Sequence, residues 1–251
     1  MAIYAWFFQK EDEMKNTLWD IYARCYESLE VFLPYQQLME DVMHALPNDY
    51  EPRVLLDAAC GTGQLLKRLQ GRLWGWKLVG LDRSLPMLKV AQQKLSESGL
   101  VLKHMDLNEE IPYDNDTFDV VTCINALYAL ESPEETLREF ARILKPGGLL
   151  ILVNPYLPRG TWIWANHISQ IISRRSWRDA AQTALHMPKL LAISTVNKII
   201  ARHAKDKVFH FLPPIHLCSL VRKAGFEIEL ETHHNYAGTC CLVRAHKPLE
   251  E

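Results

Sequence analysis

Three aspartates and two glycines have the types and spacing to hold a polar ligand. Asp57 ends an apolar run in VLLDAACGTGQLL, where Gly61 and Gly63 follow it. Glycine can adopt positive φ and carries no Cβ, so a ligand can press against such a turn, and the N–H groups of the next helix can hold an anion. Asp82 and Asp106 follow two later apolar runs, KLVGL and LVLKHM. A carboxylate at a strand end can accept hydrogen bonds from ribose hydroxyls or from an amino group.

Each of these signals also has a structural interpretation. A tight strand-to-helix turn needs glycines for packing, a strand-end acid can cap a helix, and a loop acid can simply be solvated. A nicotinamide dinucleotide would use a related GxGxxG turn, but Leu66 stands at the third glycine position and Asp57 would repel a pyrophosphate. The turn therefore favours a nucleoside sulfonium, whose ammonium group tolerates that acid.

Alternating strands and helices would bring these residues to one edge of a sheet. Short apolar runs separated by helical stretches are typical of parallel strands joined by helical crossovers. The predicted strands are Val54–Leu56, Leu78–Leu81, Leu100–Lys103, Phe118–Ile124 and Leu149–Val153, and the predicted helices are Gln64–Gln70, Leu85–Ser96 and Pro133–Leu144. The last helix has a capping box of Ser132 and Glu135 and a stop at Pro146.

The two ends and one insertion complete this architecture. Apolar spacing over residues 13–46 predicts two amphipathic helices broken near Pro34, and residues 159–207 show helical spacing. A helix at Ile215–Ala224 and two strands, Phe226–Glu231 and Thr239–Ala245, would end the sheet on an antiparallel edge.

Over residues 50–155 the chain resembles the class I, Rossmann-like, S-adenosylmethionine-dependent methyltransferases of the small-molecule type. The matching segments are LLDAACGTG, VGLD, the MD dipeptide before PYDNDTFDVV, LYAL, and RILKPGGLLILVNP. The resemblance implies an α/β doubly wound, seven-stranded, mostly parallel sheet of order 3-2-1-4-5-7-6 with an antiparallel last strand. It also implies one methyltransferase domain with an N-terminal helical cap (1–50), a cofactor-binding core (51–155), a helical lid (156–210) and the end of the sheet (211–251).

The same resemblance implies the cofactor and its ligands. S-adenosylmethionine would donate a methyl group by in-line displacement and leave as S-adenosylhomocysteine. In this family the glycine turn holds the methionine portion, the acid after strand two the ribose, and the residues after strand three the adenine, while a residue after strand four closes over the methionine. The positions implied here are Asp57, Gly61 and Gly63, then Asp82, then Asp106 and Leu107, and lastly Asn125. The segment CINALYAL lacks the (N/D)PP(Y/F) motif of amino-methylating DNA enzymes, so no DNA partner is expected.

An acceptor pocket would draw on aromatic residues of the N-terminal helices and the lid, and an aromatic, water-poor pocket suits an apolar acceptor. The candidates are Tyr22, Tyr26, Tyr128, Tyr156, Trp162 and Trp164, each of which could equally pack in the core. A base is needed only when the nucleophile starts protonated, so the sequence assigns no catalytic residue. His167 and His210 are the candidates because imidazole titrates near neutrality, although both could be structural.

Charge is concentrated in the lid. Residues 159–207 hold nine Lys and Arg against two acids, although the net charge of the chain is only -2. These cations could face solvent, recognise an anionic acceptor, lie on an anionic membrane to reach a lipid or quinone, or contact RNA phosphates.

Composition excludes several other classes. The chain has 251 residues, of which 48% are hydrophobic and 23% charged, as in ordinary globular proteins. The opening MAIYAWFFQK lacks a basic leader and runs into acids, and no apolar run approaches the roughly 20 residues of a membrane span, so a cytoplasmic location is expected. Six cysteines without zinc spacing predict reduced thiols and no metal.

Three functions remain open at this point. The first is a small-molecule O-, N- or C-methyltransferase with a helical lid. The second is a methyltransferase that acts on tRNA or protein, and the third is a module that binds S-adenosylmethionine without turnover. No sequence pattern identifies the acceptor, the methylated atom or the oligomeric state.

Overall fold

A computed structural model describes residues 17–47, 51, 53–70, 75–95, 100–203 and 209–249 of the chain. Seven strands form one sheet within these ranges. Their bounds are β1 Val54–Ala58, β2 Lys77–Asp82, β3 Leu100–His104, β4 Phe118–Ile124, β5 Leu144–Pro155, β6 Glu227–His234 and β7 Cys240–His246.

The helices lie between and before these strands. Residues 17–25 are helical (α1) and lead into a 3₁₀ helix at Tyr26–Val31. The other helices are α2 Leu33–Ala45, α3 Gln64–Leu69, α4 Leu85–Lys94, α5 Pro133–Ile143, α6 Gly160–Arg174, α7 Trp177–His203 and α8 Pro214–Lys223. Short helical turns occupy Leu127–Ala129 and Asn235–Gly238.

The strand order is β3-β2-β1-β4-β5-β7-β6, as the family resemblance predicts. Strands β1 to β5 pair in parallel, and β7 pairs antiparallel with both β5 and β6. This arrangement confirms the predicted fold class. Because the strand order reverses beside β1, a crevice opens at the carboxyl ends of β1 and β4, where α/β sheets of this kind bind ligands.

Several predicted boundaries shift by a few residues. The insertion predicted at 159–207 forms the two antiparallel helices α6 and α7, and residues 204–208 lie outside the described part. The sequence predicts a break between helices near Pro34. In the structure it lies at Phe32, which separates the 3₁₀ helix from α2, and α2 begins at Leu33. Positions 13–16 and Ser96, predicted to be helical, also lie outside the described residues.

The largest boundary difference is at β5. The predicted strand starts at Leu149, but Leu144 already pairs with Phe118, and the register then jumps to Val120 and Leu149. Helix α5 ends at Ile143 because Pro146 cannot continue a helix and restricts the residue before it. The predicted N-cap is confirmed, since the Ser132 hydroxyl accepts from the Glu135 N–H at 3.4 Å.

Two apolar cores cover the faces of the sheet. Successive residues of β5 alternate between them: Ile151 and Val153 face the core formed with α2, α3, α4 and α7, whereas Leu150 and Leu152 face the core formed with α5 and α8. This period of two is what a strand buried on both faces requires. In the described part of the chain, no helix combines the length and the apolar character that crossing a membrane requires.

Gly80 in β2 leaves room for the turn above it. A Cβ on Gly80 would lie 2.8 Å from Cys60 Sγ, from Leu66 Cδ1 and from Leu102 Cδ2. We expect Gly80→Ala to lower the free energy of unfolding by about 1–3 kcal/mol, because overpacking a core forces its neighbours to move. Urea denaturation measures this change.

Gly160 supplies the matched control, since a Cβ there would meet nothing within 4 Å. Because Gly160 begins α6, Gly160→Ala should leave the free energy of unfolding unchanged or raise it by up to about 1 kcal/mol. Equal effects of the two substitutions would contradict the packing role of Gly80.

Candidate functional site

A cavity that is partly open to solvent lies at the carboxyl ends of the central strands. This is the edge at which α/β sheets of this order bind ligands. The walls of the cavity come from α1, the 3₁₀ helix, the turn after β1, and the segments after β2, β3 and β4. The lining residues are Trp19, Tyr26, Ala59, Gly61, Asp82, Arg83, Ser84, Met87, Met105, Asp106, Leu107, Ile124, Asn125, Ala126, Ala129 and Leu130.

Asp82 joins the glycine turn to the next helix. Its Oδ2 accepts from the Gly61 N–H at 2.7 Å, and its Oδ1 accepts from the Ser84 N–H at 2.8 Å. Burial raises the pKa of this carboxyl, while the two backbone donors favour its charged form. A carboxylate has about four acceptor positions, so two remain for a ligand's hydroxyl groups.

The two glycines of the turn have different surroundings. Both have positive φ, 55° at Gly61 and 71° at Gly63. A Cβ on Gly61 would meet nothing within 4 Å, whereas one on Gly63 would lie 2.6 Å from Leu95 Cδ1. Gly61 therefore faces the cavity, and Gly63 allows the turn to pack closely against α4.

Asp57 lies beneath the turn and is not among the cavity-lining residues of the described chain. It is 3% exposed, and its Oδ1 accepts from the Thr122 hydroxyl at 2.8 Å. Burial raises the pKa of Asp57 to about 7, and the negative charge of Asp82 acts in the same direction. In the same turn, the hydroxyl of Thr62 is buried and has no hydrogen-bond partner among the described residues.

The segment after β3 forms the far end of the cavity. The Asp106 Oδ1 accepts from the Asn108 backbone N–H at 3.0 Å and from its side-chain amide at 2.9 Å. The Asp106 Oδ2 lies 3.4 Å from Arg83 Nη1. Leu107 is buried beside it, so a carboxylate acceptor borders an apolar slot. That combination can hold a flat base with an amino group.

Asn125 follows β4 and adopts a left-handed conformation, with φ 52°. Its backbone N–H donates to the Val153 carbonyl at 2.8 Å, and its Oδ1 accepts from the Cys240 thiol at 3.5 Å. Asparagine tolerates this backbone better than most residues do. The side chain is thereby placed at the cavity wall, between the turn after β1 and the strand β7.

Buried tyrosines continue the site beyond Tyr26. The rings of Tyr22 and Tyr26 lie 5.8 Å apart, and Tyr128 lies 5.4 Å from Phe211. Tyr236 reaches the same cluster from the turn after β6, where it adopts φ 50°. Burial raises the pKa of Tyr26 to about 12 and raises that of Tyr236 well above its ordinary value. These phenols therefore stay protonated at neutral pH.

Polar contacts hold this aromatic cluster against the core. Glu30 forms a bidentate ion pair with Arg68 of α3. Glu27 forms an ion pair with Lys94 of α4 at 2.8 Å. The Tyr22 hydroxyl donates to Asn197 Oδ1 of α7. The 3₁₀ helix that carries Tyr26 is thus fixed against α3 and α4.

His167, a predicted base, has both ring nitrogens engaged. Its Nδ1 accepts from the Leu33 N–H at 3.2 Å, and its Nε2 lies 2.9 Å from the Thr183 hydroxyl. Burial lowers the pKa of His167 to about 4, so the ring is neutral at physiological pH. It joins α2 to the α6–α7 pair and does not line the cavity formed by the described residues. This geometry indicates a structural role.

The other predicted site residues lie around the aromatic cluster. The backbone N–H of His210 donates to the Tyr128 carbonyl at 2.6 Å. The Tyr156 hydroxyl lies 3.0 Å from the Gly238 carbonyl, and the Trp162 indole donates to the Ala237 carbonyl at 2.9 Å. The Trp164 indole donates to the Ser194 hydroxyl at 2.8 Å. Tyr156 and Trp162 therefore hold the turn that carries Tyr236, and Trp164 joins α6 to α7.

The structure adds residues to the site that the sequence pattern does not indicate. Trp19, Met87 and Met105 line the cavity, and Tyr236 completes the tyrosine cluster. Methionines near a predicted ribose-binding acid are a weak signal, because they fill irregular gaps in any core. The position of Tyr236 depends on a left-handed turn of non-glycine residues, for which HHNYAGTC gives no signal.

Three potential metal ligands also meet, although no zinc spacing is present in the sequence. Ligand atoms of Glu231, His233 and Cys241 lie within 4.8 Å of one another on the β6–β7 hairpin. A contact of 3.0 Å between the Glu231 carboxylate and the His233 ring accounts for part of this proximity.

The chain is similar in sequence to proteins that are named as methyltransferases. Residues 56–152 match the protein family described as a methyltransferase domain. The chain is 35% identical over 134 residues to YqeM of Bacillus subtilis, provisionally named a methyltransferase, with 52% of each chain covered. It is 27% identical over 184 residues to the demethylmenaquinone methyltransferase of Thermus thermophilus, with 72% of this chain and 77% of that protein covered. It thus spans about half the length of the first relative.

A solved structure shares the fold. The S-adenosylmethionine-dependent methyltransferase TM1293 of Thermotoga maritima, described as a possible histamine N-methyltransferase, superposes with a TM-score of 0.57 over 92% of this chain and 99% of that chain. At 19% identity, this likeness concerns the fold alone.

Asp57 gives the site a measurable pH dependence. Its pKa rises from 3.8 to about 7 on folding, so between these values the folded state retains a proton that the unfolded state releases. The free energy of unfolding therefore falls as pH rises through this window. Asparagine does not ionise, so the free energy of unfolding of Asp57→Asn should not show this fall. Relative to the wild type, it should increase by at most about 4 kcal/mol between pH about 4 and pH about 8. Urea denaturation at a series of pH values measures this difference.

Glu139 is the matched control because its hydrogen bonds to Arg142 lower its pKa. Glu139→Gln should lose stability relative to the wild type as pH rises, which is the opposite sign. A difference between Asp57→Asn and the wild type that does not vary with pH would contradict the buried, proton-retaining state of Asp57.

Proposed function

The chain belongs to the class I S-adenosylmethionine-dependent methyltransferases, and on this premise we propose that it transfers a methyl group to a small, apolar acceptor. One observation carries the proposal. Tyr26 lines the ligand cavity and also packs against the buried ring of Tyr22, so the cavity ends on an aromatic wall. A macromolecule would need an open, basic groove, and an aromatic wall does not provide one.

The residues of the cavity fit S-adenosylmethionine. The Asp82 carboxylate has acceptor positions left for the ribose hydroxyls, and Asp106 with Leu107 would hold the adenine. The open space beside Gly61 would admit the methionine portion, and Asn125 lines the same cavity. Asp57 and Gly63 lie below that space. We therefore propose that they shape the turn, with Asp57 favouring the ammonium group from beneath as it ionises.

The chemistry requires alignment more than proton transfer. When bound, S-adenosylmethionine would supply an electrophilic methyl group to the electron pair of the acceptor and would leave as S-adenosylhomocysteine. The part of the chain in this chemistry would be to orient the acceptor against the donor. The protonated phenols of Tyr26 and Tyr236 can donate hydrogen bonds to an acceptor oxygen, but they cannot remove a proton at neutral pH.

An aromatic diol with an apolar side chain is the acceptor class that suits this pocket. Its ring can pack among the tyrosines, and its oxygen can accept from their hydroxyls. The Thermus relative is named for demethylmenaquinone, and we take the reduced form of that compound as the first probe. Ionisation of one hydroxyl would make a neighbouring ring carbon nucleophilic, and the ring proton displaced by the methyl group would pass to solvent.

Methyl-labelled S-adenosylmethionine tests the proposal. We expect label to enter reduced demethylmenaquinone when the purified chain is present. Parallel reactions contain bulk tRNA or a protein extract in place of the quinol. Label in tRNA or protein, with none in the quinol, would identify a macromolecule methyltransferase, and tight cofactor binding without any transfer would identify a binding module.

Tyr236 separates acceptor positioning from cofactor binding. We expect Tyr236→Phe to lower the rate of methyl transfer about tenfold, the value of one hydrogen bond to a reacting oxygen, and to leave the Kd for S-adenosylhomocysteine unchanged. Initial rates and calorimetry measure the two quantities. Tyr113→Phe is the control, since Tyr113 packs against Phe118 on the other face of the sheet. A parallel loss of cofactor affinity in Tyr236→Phe would contradict this role.

A further inference from the structure

The turn between α6 and α7 exposes large apolar side chains. We define residues 172–178 as the hairpin tip. Trp177 is 82% exposed and Ile172 is 70% exposed, and Ile168, one helical turn before Ile172, is 51% exposed. Leaving an indole ring and two isoleucines in water is costly, and adjacent exposed apolar residues commonly mark a contact surface.

Cations surround these apolar side chains. Arg174, Arg175 and Arg178 all belong to the hairpin tip, and all three are exposed. Arg174 donates to the Gln170 side chain at 3.3 Å, and none of the three arginines forms an ion pair within the described ranges. The neighbouring acid, Asp179, is half-buried on the side of His167. The tip thus presents three positive charges beside tryptophan and isoleucine.

We propose that the hairpin tip docks on the surface of an anionic lipid bilayer. Tryptophan and isoleucine can enter the interfacial region of a bilayer, and guanidinium groups can pair with lipid phosphates next to them. A negatively charged surface attracts each such cation, so apolar burial and charge act together. This docking does not depend on the proposed methyl transfer.

The same charges could meet RNA phosphates, but the apolar residues favour the bilayer. A ribonucleic acid would use the arginines and could stack on Trp177, whereas Ile168 and Ile172 would stay in water. A bilayer removes all three apolar side chains from water. Both RNA and an anionic bilayer could therefore pair with the arginines. Only the bilayer would also bury the isoleucines.

The geometry also separates the tip from the ligand cavity. Trp162 and Trp164 near the start of α6 and Asn197 near the end of α7 contact the aromatic cluster or its supports. About 12 helical residues, or roughly 18 Å, lie between that end of the hairpin and the tip. Docking by the tip would therefore leave the cofactor cavity free of the bilayer.

Vesicle sedimentation with the full chain tests the proposal. Vesicles of phosphatidylcholine alone are compared with vesicles that also contain phosphatidylglycerol. We expect binding to the anionic vesicles only, and we expect added salt to weaken it. Equal binding to both kinds of vesicle, or binding to neither, would overturn the proposal. Because this readout needs no methyl acceptor, it is independent of the transfer assay.

Matched variants locate the contact. The triple variant Arg174→Gln, Arg175→Gln, Arg178→Gln should bind anionic vesicles roughly 100-fold more weakly, and Trp177→Ala about tenfold more weakly. The charge control is Lys67→Gln, Lys77→Gln, Lys89→Gln, which removes three exposed cations elsewhere. The apolar control is Ile215→Ala, at a side chain that is 74% exposed on α8. Both controls should bind as the wild type does.

Two other partners would give different results. Bulk tRNA binding that the arginine variant loses and Trp177→Ala retains, together with no vesicle binding, would assign the tip to RNA. Self-association in sedimentation equilibrium that Trp177→Ala abolishes, again with no vesicle binding, would assign it to a second copy of the chain. Either result overturns the proposal, as would a charge control that weakens vesicle binding as much as the arginine variant does.

Discussion

The buried carboxylate of Asp82 is the interaction on which the site depends. It ends β2, is 8% exposed, and accepts from backbone N–H groups on both sides, in the glycine turn after β1 and at the start of α4. Burying a carboxylate is costly unless hydrogen bonds compensate for the lost water. Those bonds fix the turn and the helix relative to one another, so the cavity floor is built by the same group that can bind a ribose.

The rest of the site follows from this floor. The 3₁₀ helix is held on α3 and α4 by Glu27 and Glu30, which places Tyr26 over the cavity. His167 and Asn197 then connect the α6–α7 pair to the N-terminal helices. At Asp57, burial raises the pKa to about 7, so ionisation of this carboxyl at and above neutral pH lowers the free energy of unfolding. A ligand's ammonium group would compensate for that cost.

The sequence predicts the frame well because the frame depends on local signals. Strand β4 is predicted residue for residue, since a run of apolar and β-branched residues is bounded by polar ones, and the start of α5 follows from its capping box. The strand order came from the family resemblance and not from periodicity. Five of the seven predicted cofactor residues line the cavity, because acids and glycines at strand ends meet at one edge of a parallel sheet.

The sequence does not predict the contacts that depend on tertiary structure. The pattern did not reveal that Leu95 packs against Gly63, that Leu33 and Thr183 engage both nitrogens of His167, or that Trp19 reaches the cavity.

The protonated phenols have a consequence for selectivity. A wall of hydroxyl groups that release protons only in strongly alkaline solution can donate hydrogen bonds but offers no sink for a proton. The acidity of a hydroxyl compound would therefore decide its fate. A compound that is already ionised in solution would react as a nucleophile, and one that keeps its proton would bind without reacting. Under the proposed transfer, the protonation state of the acceptor would therefore decide whether it reacts.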